Sequence, residues 1–447
     1  MKIYLVFILG ILVVAGLNAI ALKFLKQRRD LSLVYGTLAL SIMSFLLKVS
    51  IPPHQEIFGD FRGGYYPAGS LIVDNPLNLY GFAGDYGFVN IPIIALLFKP
   101  FAALNIRVST ILFTLLGGLA VLAACYLLLR LTNNIGWQPI TLIGLFVING
   151  PLYHSLWYGN LTHFVLLLLL AAWLCLEQKR DFVLGILLAV AALIKIPLFM
   201  LGVYFALRRK WRVTAGFGAT LLAIVGASLL LFGSDLHLAW LHHIGQFSGK
   251  PLSAYNVQSV DGFLARLLTD TKGELRNWQP LTVGWDFKLI RYALLSLLVG
   301  TSIWVCWRSK PPKTLEAQNL EFSIVLCLAL LISPISWTHY YLFLLLPFAL
   351  YLGKRLGVPQ GGVWSNLMLV SILLTSLPVI TADIGNPFLR FLYTKLLISH
   401  YFFGGIILLG VLLAARWYTF KCSQLSPAKA ELTEVNDLAW TYFSLKR

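Results

Sequence analysis

Asp60 stands in the run Gly59-Asp60-Phe61-Arg62-Gly63-Gly64-Tyr65-Tyr66-Pro67, a carboxylate among glycines with two tyrosines close behind it. A carboxylate placed in this way can take the proton of a hydroxyl, and glycines allow a ligand to come close to the backbone. The faces of Tyr65 and Tyr66 can stack on a sugar. The plainer reading is a solvated loop carboxylate. Lys195, in Leu193-Ile194-Lys195-Ile196-Pro197, lies in the middle of an apolar stretch. A cation there is costly enough to suggest a function, the alternative being a side chain that snorkels to the surface. His339, in Ser333-Pro-Ile-Ser-Trp-Thr-His-Tyr340, lies at the mouth of an apolar span, where Trp and Tyr also belong to an interfacial belt. Asn160 and His163 lie at another such mouth. Arg266 reads either as a phosphate clamp or as an ordinary outer-loop cation. Cations can hold a phosphate leaving group through charge-assisted hydrogen bonds. Together the set is one carboxylate, several cations and many aromatics, which is what moving a sugar from a lipid phosphate requires.

These residues must be positioned by a membrane protein. The chain is 58% hydrophobic and 12% charged, with a mean hydropathy of +0.79, too apolar for burial in water to be its solution. The net charge of +17 resides in short Lys/Arg clusters between apolar spans. That is the pattern of retained cytoplasmic loops, and it argues against a nucleic-acid partner. The five cysteines are scattered without paired spacing and read as small core residues. The sequence contains no phosphate-binding loop, dinucleotide fingerprint, zinc spacing or nucleophile elbow, so neither a metal nor a cofactor is expected.

Apolar spans are read at about 3–22, 32–50, 108–130, 138–153, 161–177, 182–207, 213–232, 289–306, 320–335, 340–353, 363–381 and 398–416. Basic residues after the first span place the N-terminus outside; a signal peptide is the rival reading of residues 1–22. The stretch 182–207 has basic clusters at both ends and is too short to cross twice at full thickness. It is expected to form two short helices meeting at Lys195, with neighbouring protein or a water-filled cavity covering the break. The count is about 12–13 spans in an all-α integral membrane bundle. Residues 1–416 form a single polytopic domain and 417–447 a cytoplasmic tail. Two long segments, 51–107 and 233–287, fall on the non-cytoplasmic side. Within the first, Pro67–Val73 and Pro92–Leu104 read as interfacial helices. Residues Tyr153–Asn160 read as an aromatic outer turn. More than half of the 18 acidic residues fall in outer segments, weak support for chemistry on that face.

The order of Gly59-Asp60-Phe61, Tyr65-Tyr66-Pro67-Ala68, Leu79-Tyr80, Leu96-Leu97-Phe98-Lys99-Pro100, Tyr158-Gly159-Asn160, Leu193 to Pro197, Gln258-Ser259 with Arg266, and Ser333 to Tyr340 resembles glycosyltransferase family 87. These are polyprenyl-phosphate-mannose-dependent α-mannosyltransferases of the GT-C superfamily fold. The resemblance spans nearly the whole chain. It implies a GT-C-type bundle in the cell membrane with its site on the non-cytoplasmic face, and a metal-independent, inverting transfer with Asp60 as base. The donor would be a polyprenyl-phosphate sugar and the acceptor a lipid or glycan hydroxyl. Lys195, His339, Asn160, Arg266, Tyr65, Tyr66, His163 and Gln258 would hold the donor phosphate and sugar. The family usually shows Gly-Gln where this chain has Gly159-Asn160, and Tyr-Pro-Pro where it has Asn90-Ile91-Pro92. Two other classes compete: a transporter or flippase of lipid-linked saccharides, which should show two matching halves, and an O-antigen-type polymerase or ligase, which should lean on outer arginines.

Overall fold

The computed structural model describes residues 57–81, 87–131, 138–147, 149–246, 249–269, 274–309, 311–382 and 384–424. The expected spans at 3–22 and 32–50 and most of the tail lie outside them. Among the described residues the chain is helical, without a strand; one isolated antiparallel bridge joins Val257 to Trp337.

Among the described residues ten apolar helical segments contribute to the membrane region. Five are long enough to cross: α4 (Ile106–Leu131), α10 (Trp211–Gly245), α12 (Trp285–Arg308), α13 (Leu315–Ile332) and the last described helix, α17 (His400–Gln424). The shorter ones include α7 (Thr162–Glu177), α8 (Asp181–Ile194), α9 (Phe199–Leu207) and α15 (Gly362–Ser376). Their packing has an inside and a lipid side. From Asn319 to Leu331, α13 is buried on every face, whereas Leu230 on α10 is 90% exposed and Trp307 on α12 is 78% exposed. A helix that is apolar all round and bare on one side is stable only in hydrocarbon, so the chain is a polytopic membrane protein. The tightest crossing is between α8 and α10. A Cβ on Gly185 would run into Val213 and Phe217, and one on Gly216 into Phe182, so small residues let these backbones approach directly.

At the end opposite Asp60, Glu321 is fully buried and bonded to Arg208 (2.6 Å), Arg416 (2.9 Å) and the Tyr204 hydroxyl (3.0 Å). This cluster ties α9, α13 and α17 together.

Four expected boundaries shift. The first interfacial helix begins earlier than Pro67, because a π-helical turn, Asp60–Tyr65, runs directly into α1 (Tyr66–Asp74). The second breaks into α2 (Pro92–Leu96) and α3 (Lys99–Ala102), since Pro100 cannot continue the ladder of the preceding turn. The expected span 138–153 is two pieces, α5 (Gln138–Val147) and α6 (Gly150–Trp157). Asn149 accepts from Leu152 N at 3.0 Å and starts a new helix with Pro151 in its first turn, which makes the supposed turn at 153–160 mostly helical. Finally, α10 continues through a kink at Gly233 to Gly245, so the second outer segment begins as helix.

Candidate active site

The Asp60 turn is pinned to the end of α6. Phe58 N donates to Trp157 O at 2.8 Å, while Asp60 N and Phe61 N both donate to Tyr158 O, at 2.9 and 3.3 Å. Phe58 adopts φ +64°, a left-handed conformation rare for a bulky residue, and such strain persists only where surrounding bonds enforce it. Gly159 has the same φ, +64°, and lies so close to Phe58 and Phe61 that no side chain fits. Beneath the turn, Phe61 stacks on Phe113 (4.5 Å between centroids) and Tyr65 on Phe98 (4.7 Å). These rings form an aromatic cluster largely separate from the bundle core.

This framework brings three distant residues together. Asn160 donates from Nδ2 to Asp60 Oδ2 and accepts at Oδ1 from Lys195 Nζ, at 2.9 Å. Lys195 occupies the expected break: α8 ends at Ile194, and a short 3-10 turn, Ile196–Leu198, leads into α9. Its ammonium lies 4.6 Å from the centre of the Tyr340 ring and is 4% exposed. Burial holds the Asp60 carboxyl above its ordinary range, with the Asn160 amide and the Lys195 charge pulling it the other way.

His339 is buried, and neither ring nitrogen has a hydrogen-bond partner among the described residues. A buried polar atom left unpaired costs about 1–3 kcal/mol, so both ring nitrogens are open to a group outside the described residues. The segment carrying it is held firmly. Gln258 N donates to Ser336 O (2.7 Å), Thr338 N to Asn256 O (2.8 Å), and His154 Nδ1 meets Thr338 Oγ1 at 2.9 Å. His163 bonds Ser155 Oγ through Nδ1 (2.9 Å), leaving a buried Nε2 that faces Gly117.

Three expected contacts do not converge here. Arg266 is fully buried and spends its donors on Ala254 O and Ser399 Oγ. Gln258 gives its amide to Tyr255 O and Ile398 O, supporting the His339 segment from behind. The Tyr66 hydroxyl donates to Leu104 O. Conversely, Thr162, Tyr340 and Asn90 were not expected. Asn90 Nδ2 holds Ile194 O at 2.8 Å, capping the last carbonyl before Lys195. The departure of Asn90-Ile91-Pro92 from the family pattern was the available signal for it.

The fold is thus a polytopic membrane bundle that sets a carboxylate, a carboxamide and a buried ammonium in series, close to an imidazole unpaired among the described residues. The glycosyltransferase family 87 model matches residues 88–334, and the chain belongs to that family: it is a membrane glycosyltransferase. Among its relatives is a polyprenol-phosphate-mannose-dependent alpha-(1-2)-phosphatidylinositol pentamannoside mannosyltransferase of Mycobacterium tuberculosis. It is 27% identical over 323 residues, 69% of this chain and 69% of the relative. The protein of the same description from Mycolicibacterium smegmatis is 25% identical over 375 residues, 78% of this chain and 84% of its own. No solved structure matches the chain.

Proposed function

We propose that this enzyme transfers mannose from a polyprenyl-phosphate donor to a hydroxyl of a mannosylated lipid on the non-cytoplasmic face of the cell membrane, with inversion and without a metal. The supporting observation is the Asp60–Asn160–Lys195 chain lying beside His339, which is unpaired among the described residues. In this reading the acceptor oxygen attacks the anomeric carbon from the side opposite the phosphate. Its proton passes to Asp60, the bond from the anomeric carbon to the phosphate oxygen breaks, and the electron pair leaves with the polyprenyl phosphate. Negative charge grows on that phosphate as the bond breaks. Lys195 and His339 meet it with N–H donors in a site that excludes water, where such contacts act strongly. The relatives' names suggest a phosphatidylinositol mannoside as acceptor.

The test is a thin-layer assay of purified protein with labelled polyprenyl-phosphate-mannose and phosphatidylinositol mannosides. Asp60→Asn should lower turnover roughly 10²–10⁴-fold while the protein stays folded, the usual share of a general base. Asp74→Asn, an exposed carboxylate at the end of α1, should leave turnover intact. If Asp60→Asn keeps most of its activity, the base is elsewhere; if the label never moves to lipid, the donor or acceptor assignment is wrong.

A further inference from the structure

Asn160-Leu161-Thr162 has the outline of a glycosylation acceptor, yet Asn160 is 5% exposed and Thr162 fully buried, so a glycan cannot reach it. Here the spacing serves another purpose. Thr162 donates both its backbone N–H (3.1 Å) and its hydroxyl (2.8 Å) to Asn160 Oδ1, and Lys195 Nζ adds a third donor at 2.9 Å. Three donors converging on one atom determine which end of the carboxamide is oxygen. The NH₂ end must then face Asp60, where it donates to Oδ2.

We propose that Asn160, locked by Thr162, is a positioning residue for the base rather than a donor contact: it occupies Asp60 Oδ2, turns Oδ1 toward the acceptor hydroxyl, and ties the carboxylate's orientation to Lys195. The inference rests on Asp60 being the base. A carboxylate free to rotate offers the wrong lone pair part of the time, and misplacement of a reacting group by about 1 Å can cost about 10²-fold. The donated N–H also favours the charged form of Asp60. The other groups facing Asp60 are Lys195 from the break after α8, Tyr340 from the 3-10 turn Thr338–Leu344, and Tyr65 on its own turn. His163 and His339 lie beyond, toward Lys195.

Thr162→Val keeps the shape and the backbone N–H but removes the hydroxyl donor. It should lower kcat at least about tenfold, the worth of one hydrogen bond to a strongly polar site, with the donor KM within about twofold; Thr162→Ser should restore kcat. Asn160→Leu keeps the volume and the separation of Asp60 from Lys195 but removes the N–H. A carboxylate that loses a donor holds its proton more tightly, so the acid limb of kcat/KM should move to higher pH by about one unit. An unmoved acid limb together with a raised donor KM would make Asn160 a substrate contact and overturn the proposal. Asp60→Asn run in parallel separates the two readings. If it is inactive while Thr162→Val matches wild type, the positioning role alone fails; if it is active, the base assignment fails with it. Should Asn160→Leu not fold, the Thr162 pair decides.

Discussion

Replacing Gly159 with alanine should damage catalysis through the backbone, without touching a side chain that meets substrate. Gly159 has φ +64°, where a residue bearing a Cβ pays about 1–2 kcal/mol. The added carbon would lie 2.7 Å from Phe58 Cδ1 and 2.8 Å from Phe61 Cβ, closer than real contacts allow. Phe58 can swing its ring, but the Phe61 Cβ moves only if the backbone moves. Overpacking of this kind costs about 1–3 kcal/mol, giving a total of about 2–5 kcal/mol. The easiest relief is to push the Asp60 turn off Tyr158 O, the acceptor shared by Asp60 N and Phe61 N. That displacement carries the carboxylate away from Asn160. With a movement on the order of 1 Å, turnover should drop about 10²-fold. The assay is initial rate with labelled donor alongside thermal unfolding in detergent. Expected is a lower midpoint and a lower kcat with a donor KM near wild type. Wild-type turnover in a Gly159→Ala protein of unchanged stability would show that the turn yields without moving Asp60 and would refute this account.

Lys195→Ala should weaken transition-state stabilisation by about 2–4 kcal/mol, read as kcat/KM for the donor, if its ammonium meets the leaving phosphate; near-normal turnover would mean that it neither meets the phosphate nor holds Asn160 in place. The acid limb of wild-type kcat/KM should lie above the ordinary aspartate value of about 4. Burial raises Asp60, and the base works only when deprotonated, so activity falls as pH drops through that raised value; a limb at or below about 4 would contradict it. Glu321→Ala strands Arg208 and Arg416 in a buried site and should cost about 3–5 kcal/mol of stability while leaving the donor KM unchanged in the protein that folds.

The sequence displayed the parts of the site whose chemistry is conspicuous. An aspartate among glycines, a lysine in an apolar hairpin and a histidine at a span mouth all violate local expectation, and local violations are what a single chain exposes. The break at Lys195 was legible because Pro197 and basic clusters at both ends left no other solution. Gln258 and Arg266 bond to carbonyls and to Ser399 within the chain, a pairing hidden in the sequence because a polar residue in an outer segment looks alike whether it faces a ligand or caps a carbonyl. Thr162 and Asn90 were hidden for the converse reason. Thr162 acts only through the Asn160 carboxamide and Asn90 only through the Ile194 carbonyl, so neither shows chemistry of its own; a sequon outline and a departure from the family pattern were their only traces. The helix boundaries at Asn149 and Gly245 shifted because a side-chain cap and a glycine kink, neither visible in hydropathy, set where those helices begin and end.

The aromatic cluster under Asp60 and the larger bundle core share few side chains, but Ile194, Phe199 and Leu221 pack against both. Two of the three flank Lys195. The join between the two hydrophobic bodies therefore coincides with the break that presents the cation, and Asn160 links that cation to the carboxylate of the aromatic body. Substitutions deep in the bundle should be felt as lost durability, whereas those at the join should also disturb the Asp60–Asn160–Lys195 chain.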